Sequence, residues 1–158
     1  MALEAAATGP GAEVGTAAAA AMAAALGAMV TRLAKQESAA FEDDRHFFTA
    51  AVERDAEAFE RVMAAYKRPK DERAPFVEGA LHGAAEVPLQ VLERAHAMQA
   101  RLDALKIPPR FGSDLAVAKA LNAAAKSGAM ENVRINLDSI QDQDFKTAVQ
   151  TRLSACGQ

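Results

Sequence analysis

Residues 14–31 carry no charge and are mostly alanine and glycine. A segment this smooth constrains the fold more than any other part of the chain. Alanine is the strongest helix former and buries little area per residue, so it stabilises a fold mainly by letting backbones approach closely. The bias continues throughout, with 40 alanines in 158 residues. Aromatics are 5% and tryptophan is absent, and the β-branched and aromatic runs that mark strands are missing. The expectation is an all-α protein, one bundle of about five helices, long enough at 158 residues to bury a core as one domain. As a membrane span the segment is poor in Leu, Ile and Phe, where about 20 strongly apolar residues are needed. Glu4 stands where a signal peptide has basic residues. No membrane role is expected.

Gly9, Pro10, Gly11 and Gly15 mark residues 1–15 as a loop, and Thr16 can cap a first helix reaching about Lys35. The bundle domain is then 16–154. Met22, Leu26, Met29 and Leu33 recur at helical spacing and are expected to face the core, on a central helix whose small faces admit neighbours on several sides. A second helix, about 43–67, places Phe48, Val52, Asp55, Phe59, Val62 and Tyr66 on one stripe, ended by Pro69. Pro75 opens a third helix reaching about Leu105, with Phe76, Leu81, Ala84, Val87, Val91, Met98 and Leu102 inward and Pro88 expected to kink it. Ser113 can cap a fourth helix whose line runs Val117, Leu121, Ala124, Gly128, Asn132, Ile135. A short fifth helix covers about 142–153.

Net charge is −3, with 18 basic and 21 acidic residues interspersed, which excludes a nucleic-acid binder relying on a basic face. Cys156 is the lone cysteine, so no internal disulfide forms and a reducing cytoplasm is the expected compartment. Glu93 and His96 have the Glu-x-x-His spacing of di-iron bundles, but that site needs two such motifs and further glutamates, so no metal is expected. There is no Walker loop, and Cys156 has no local base to activate it.

Four polar residues remain. Asp55 falls on an apolar stripe, where it is either paired structurally or held desolvated for acid–base work. Asp114 suits the first turn of a helix, where a carboxylate complements the dipole. Asn132 and Asn136 stand one turn apart on one face.

Several stretches together resemble the cyclodeaminase/cyclohydrolase family of one-carbon folate enzymes: AMAAALGAMV at 21–30, DAEAFERVMAAY at 55–66 with Pro69-Lys70, AEVPL at 85–89, SDLAVA at 113–118 and GAMENVRINL at 128–137. They occur in family order. The resemblance implies a helical homodimer with a reduced folate held near the subunit contact and no cofactor beyond that substrate. It gives Asp55 and Asp114 catalytic positions, and Pro10, Gly11, Lys35, Ser113, Asn132 and Asn136 substrate-binding ones. It also shows departures. Pro10-Gly11-Ala12-Glu13-Val14 stands where the family has Pro-Gly-Gly-Gly-Ser, and Lys35-Gln36-Glu37-Ser38 where it has Gly-Lys-Lys before an aromatic.

Two functions follow as expectations. One is an enzyme acting on cyclic amidine C–N bonds, a methenyltetrahydrofolate cyclohydrolase or a formiminotetrahydrofolate cyclodeaminase. The other is a helical dimer of the same family that has lost catalysis and serves as a binding or scaffold module.

Overall fold

The computed structural model describes residues 11–157, with side chains from Val14 onward. Among them are five α-helices and no strand: α1 (Gly11–Leu33), α2 (Ala39–Tyr66), α3 (Ala74–Ala104), α4 (Gly112–Ser139) and α5 (Gln143–Cys156). A 3₁₀ turn, Pro109–Phe111, leads into α4. Helices α1 to α4 alternate in direction. Helix α1 packs on α2 and α4, α3 packs on α2 and α4, and α5 leans on α3.

Three boundaries differ from the sequence expectation. Helix α1 begins at Gly11, so residues 11–15 are helical rather than loop. Ser113 is not the α4 cap, because the 3₁₀ turn already delivers Gly112 in helical geometry and Phe111 occupies the cap position. Helix α2 begins at Ala39, four residues before the expected start near Asp43, and Pro88 lies inside α3. Asp142 caps α5, its carboxylate accepting from the Asp144 and Phe145 amides at 3.0 Å.

The inward faces of α2 and α3 largely match their stripes, with Phe48, Asp55, Val62, Leu81, Val91, Met98 and Leu102 buried. Phe76 is the exception, exposed with the Arg68 guanidinium 3.6 Å above its ring. In α1 and α4 the expectation is met only in part, since Asn132 is buried and Leu26 and Leu121 pack half-buried against the core. Met22 and Leu33 are exposed, as are Val117, Ala124 and Ile135. The buried faces are Ala17, Ala20, Ala23, Ala24 and Ala28 on α1, and Ala118, Ala125 and Ala129 on α4. Close helix approach explains this. A Cβ added to Gly27 would sit 2.7 Å from the Phe41 ring, so the neighbouring helix has come in too near for a larger side chain. By length and composition Val14–Leu33 could cross a membrane, and half of it is buried within the bundle.

Polar clasps fix the remaining contacts. Buried Asp44 on α2 accepts from Arg94 at 2.7 Å and from Arg101, both on α3. Arg152 on α5 grips Glu86 and Glu93 of α3 at 2.7–2.9 Å. That grip occupies the glutamate of the Glu-x-x-His motif. Burial acts to raise the Glu86 carboxyl, but hydrogen bonds from Arg152 and Gln90 outweigh it and hold the group below the ordinary range. His82 stacks on Phe145 of α5 at 3.9 Å, a packing role.

Helix α1 ends in a Schellman turn. The Gln36 amide bonds Thr31 carbonyl at 2.8 Å and the Lys35 amide bonds Arg32 carbonyl at 3.0 Å. Lys35 has φ 58°, the left-handed region that favours glycine. Lys35→Gly should therefore raise stability by roughly 0.5–1 kcal/mol, read as a higher midpoint in urea with unchanged slope. An unchanged or lower midpoint would show that the turn carries no strain.

Candidate active site

Where α1, α2, α3 and α4 meet, the alanine packing is interrupted by polar side chains. Asp55 projects from the middle of α2 and is 4% exposed. Asn132 of α4 is 6% exposed and Thr16 of α1 is 8% exposed. All three line one small cavity with Ala17, Ala51, Val87, Pro88 and Val91. Its volume is about 10 Å³, room for roughly one water. The Asn132 side-chain amide donates to the Thr16 hydroxyl at 3.4 Å, joining α4 to α1 across the cavity.

Local sequence explains the convergence. Asp55 follows Phe48 and Ala51 on the α2 stripe, so the same spacing that buries them carries the carboxylate inward. Asn132 follows Ala125 and Ala129 on the buried face of α4. Gly128, one turn before Asn132, leaves space for Thr16, since a Cβ there would lie 2.6 Å from the Thr16 hydroxyl oxygen. Asn136, one turn after, is half-buried and donates to the Ala84 carbonyl at 3.1 Å, pinned to the first half of α3.

The other expected site residues divide by position. Pro10 lies outside the described residues. Gly11 starts α1, five residues before Thr16 and at the same end of the bundle. Ser113 and Asp114 lie in the first turn of α4, about 27 Å along the helix from Asn132 at 1.5 Å per residue. Lys35 lies in the α1–α2 turn, about 28 Å from Thr16 by the same rise. That turn touches the α3–α4 loop, where the Gln36 side-chain amide donates to the Lys106 carbonyl at 2.6 Å. One chain thus brings Asp55 and Asn132 together, with Asn136 one turn further along α4, and holds Lys35, Ser113 and Asp114 well apart from them at the end of the bundle formed by the α1–α2 turn and the α3–α4 loop.

Sequence reasoning treated Thr16 only as a helix cap. The hydroxyl on an otherwise alanine-lined face was the available sign of something more. It also passed over Asp44 and Asn122, both buried. Asn122 donates to the Ala95 carbonyl at 3.0 Å and to Gln99 at 2.8 Å, a contact between α4 and α3. Among the described residues no group of three or more His, Cys, Asp or Glu converges as a metal site would require.

A buried carboxylate beside a hydroxyl and a carboxamide can move a proton and orient a polar ligand. The sequence profile of the formiminotransferase-cyclodeaminase family matches residues 1–155. The formimidoyltransferase-cyclodeaminase of Sus scrofa is 35% identical over an alignment 115 residues long that covers 68% of this chain and 21% of that protein. The chain therefore spans about a fifth of that relative's length. The crystal structure of formiminotetrahydrofolate cyclodeaminase from Thermotoga maritima superposes with a TM-score of 0.86 at 28% identity, covering 94% of this chain and 80% of that one. With the profile covering nearly its whole length, the chain belongs to the formiminotransferase-cyclodeaminase family.

Proposed function

We propose that this chain is an enzyme of folate one-carbon metabolism, acting in the cytoplasm as a cyclodeaminase on formiminotetrahydrofolate. The observation that carries this reading is Asp55, a carboxylate buried among alanines beside Asn132 and Thr16. In the reaction, N10 of the folate attacks the formimino carbon. A new N10–C bond forms, the C–N bond to the amino group breaks, and ammonia leaves. A proton must come off N10 and another must reach the departing amine. One carboxylate in a poorly hydrated pocket can do both in turn. The methenyl product carries a cationic amidinium carbon, which a nearby carboxylate stabilises electrostatically. The same base acting on water would add it to that carbon, so hydrolysis of methenyltetrahydrofolate is the related activity.

The cavity beside Asp55 is too small to hold a pterin ring, so the substrate rests on its rim. A second copy completes the site in this reading. Val117 and Ile135 are exposed 51% and 59%, and they stand 18 residues apart, five helical turns, on one face of α4. Ala120 and Ala124 lie between them and are exposed too. Two α4 helices packed antiparallel across a two-fold axis near residue 125 would cover this face. That arrangement brings Ser113 and Asp114 of one copy level with Asn136 of the other, reuniting the two groups that a single chain holds apart. A homodimer is the partner this proposes.

Two outcomes test the reading. Asp55→Asn keeps the shape but cannot exchange a proton. It should fold as well as the wild type while formation of methenyl product, followed by its near-ultraviolet absorbance, falls roughly 10²-fold. Equal rates would remove Asp55 from the chemistry, and a wild type inert toward both substrates would leave the scaffold reading standing. Separately, light scattering at micromolar concentration should report a dimer, and Ile135→Glu should yield a folded monomer with lower turnover. A wild-type monomer with full activity would contradict the shared site.

A further inference from the structure

We infer that Thr16 is a positioning residue for the reaction, setting the orientation of the Asn132 carboxamide beside Asp55; this rests on the cyclodeaminase reading above. Three observations place it. Thr16 is 8% exposed on a helix whose buried side is mostly alanine, so its hydroxyl is out of bulk water. The hydroxyl oxygen accepts from the Asn132 Nδ2 at 3.4 Å. Gly128 is directly beneath it, with only 2.6 Å between the hydroxyl oxygen and any added Cβ.

An asparagine side chain presents a donor and an acceptor that are interchanged by a half-turn about its last bond. Fixing the NH₂ end on Thr16 settles which end is which. With its NH₂ end toward α1, the Asn132 carbonyl is set in a defined direction at the cavity that Asp55 lines. A folate amide or ring N–H can meet that carbonyl only in one orientation. A hydroxyl has one hydrogen and two lone pairs, so accepting from Asn132 leaves it able to interact with a further group in the cavity. Thr16 therefore acts through Asn132, and glycine at 128 is required because a methyl there would push the hydroxyl off its place.

Thr16→Val keeps the shape and removes the hydroxyl, Thr16→Ser keeps the hydroxyl, and Gly128→Ala displaces it. Formiminotetrahydrofolate turnover by the full chain should show kcat lowered roughly 10- to 100-fold in Thr16→Val and Gly128→Ala, the scale of a misoriented reacting group, with KM within about threefold. Thr16→Ser should recover most of the lost rate. Circular dichroism reports the folded fraction, by which each rate is divided. Thr16→Val as active as the wild type per folded molecule overturns the inference while the cyclodeaminase reading stands. Thr16→Ser as impaired as Thr16→Val also overturns it, since the methyl and not the hydroxyl would then matter. A wild type that turns over no reduced folate overturns both.

Discussion

Everything in this fold depends on how closely α1 and α4 approach their neighbours. Alanine on both buried faces, with Gly27 under Phe41 and Gly128 under Thr16, brings backbones together until little more than a methyl group fits between them. Such a core gains little transfer free energy per residue, since each alanine buries little area. What it provides is exclusion of water over a long seam. A polar group placed in that seam is desolvated and costs free energy unless it meets a partner, which is why Thr16 and Asn132 lie across from each other. The site is a consequence of the same packing: small residues create the dry junction, and three polar side chains occupy it.

Other helix contacts are tied differently. Asp44 holds Arg94 and Arg101 across α2 and α3, and Arg152 holds Glu86 and Glu93 across α5 and α3. The Arg94 guanidinium also lies 4.9 Å from the Phe47 ring centre. Asp44 is more deeply buried than Asp55, yet its two arginines mark it as structural. A buried ion pair of this kind is costly to break, because removing one partner strands the other. The two buried aspartates of α2 thus differ in their surroundings, arginine bonds for Asp44 and a hydroxyl-and-carboxamide cavity for Asp55.

Much of this was legible in the sequence, for identifiable reasons. The α2 stripe combines large apolar residues with small ones at helical spacing, so its inward face, Asp55 included, could be read directly. Helices α1 and α4 misled because several of their larger apolar residues are outside. Met22, Leu33, Val117 and Ile135 point away from the core, and hydrophobicity alone favours them over alanine. The spacing rule identified the helices but assigned only part of their inward faces correctly, since packing distance as well as apolar area determines which side turns inward. The same error hid Thr16, which lies on the alanine face. Asp44 could have been found, because it falls four residues before Phe48 on the readable stripe and Arg94 and Arg101 share one face of α3. Lys35, Ser113 and Asp114 were not placeable from a single chain, since antiparallel helices carry them to the end opposite Asp55.

The central claim is that the dry junction around Asp55 is where a reduced folate reacts. The most direct measurement is the structure of the protein bound to 5-formyltetrahydrofolate, whose carbonyl oxygen stands in for the reactive nitrogen of the formimino group. The account predicts the N5 substituent within about 3 Å of Asp55 or Asn132, with the pterin on the rim of the cavity. A folate bound at the Lys35 end of the same chain, or one whose N5 substituent stays beyond about 6 Å from Asp55, would contradict it.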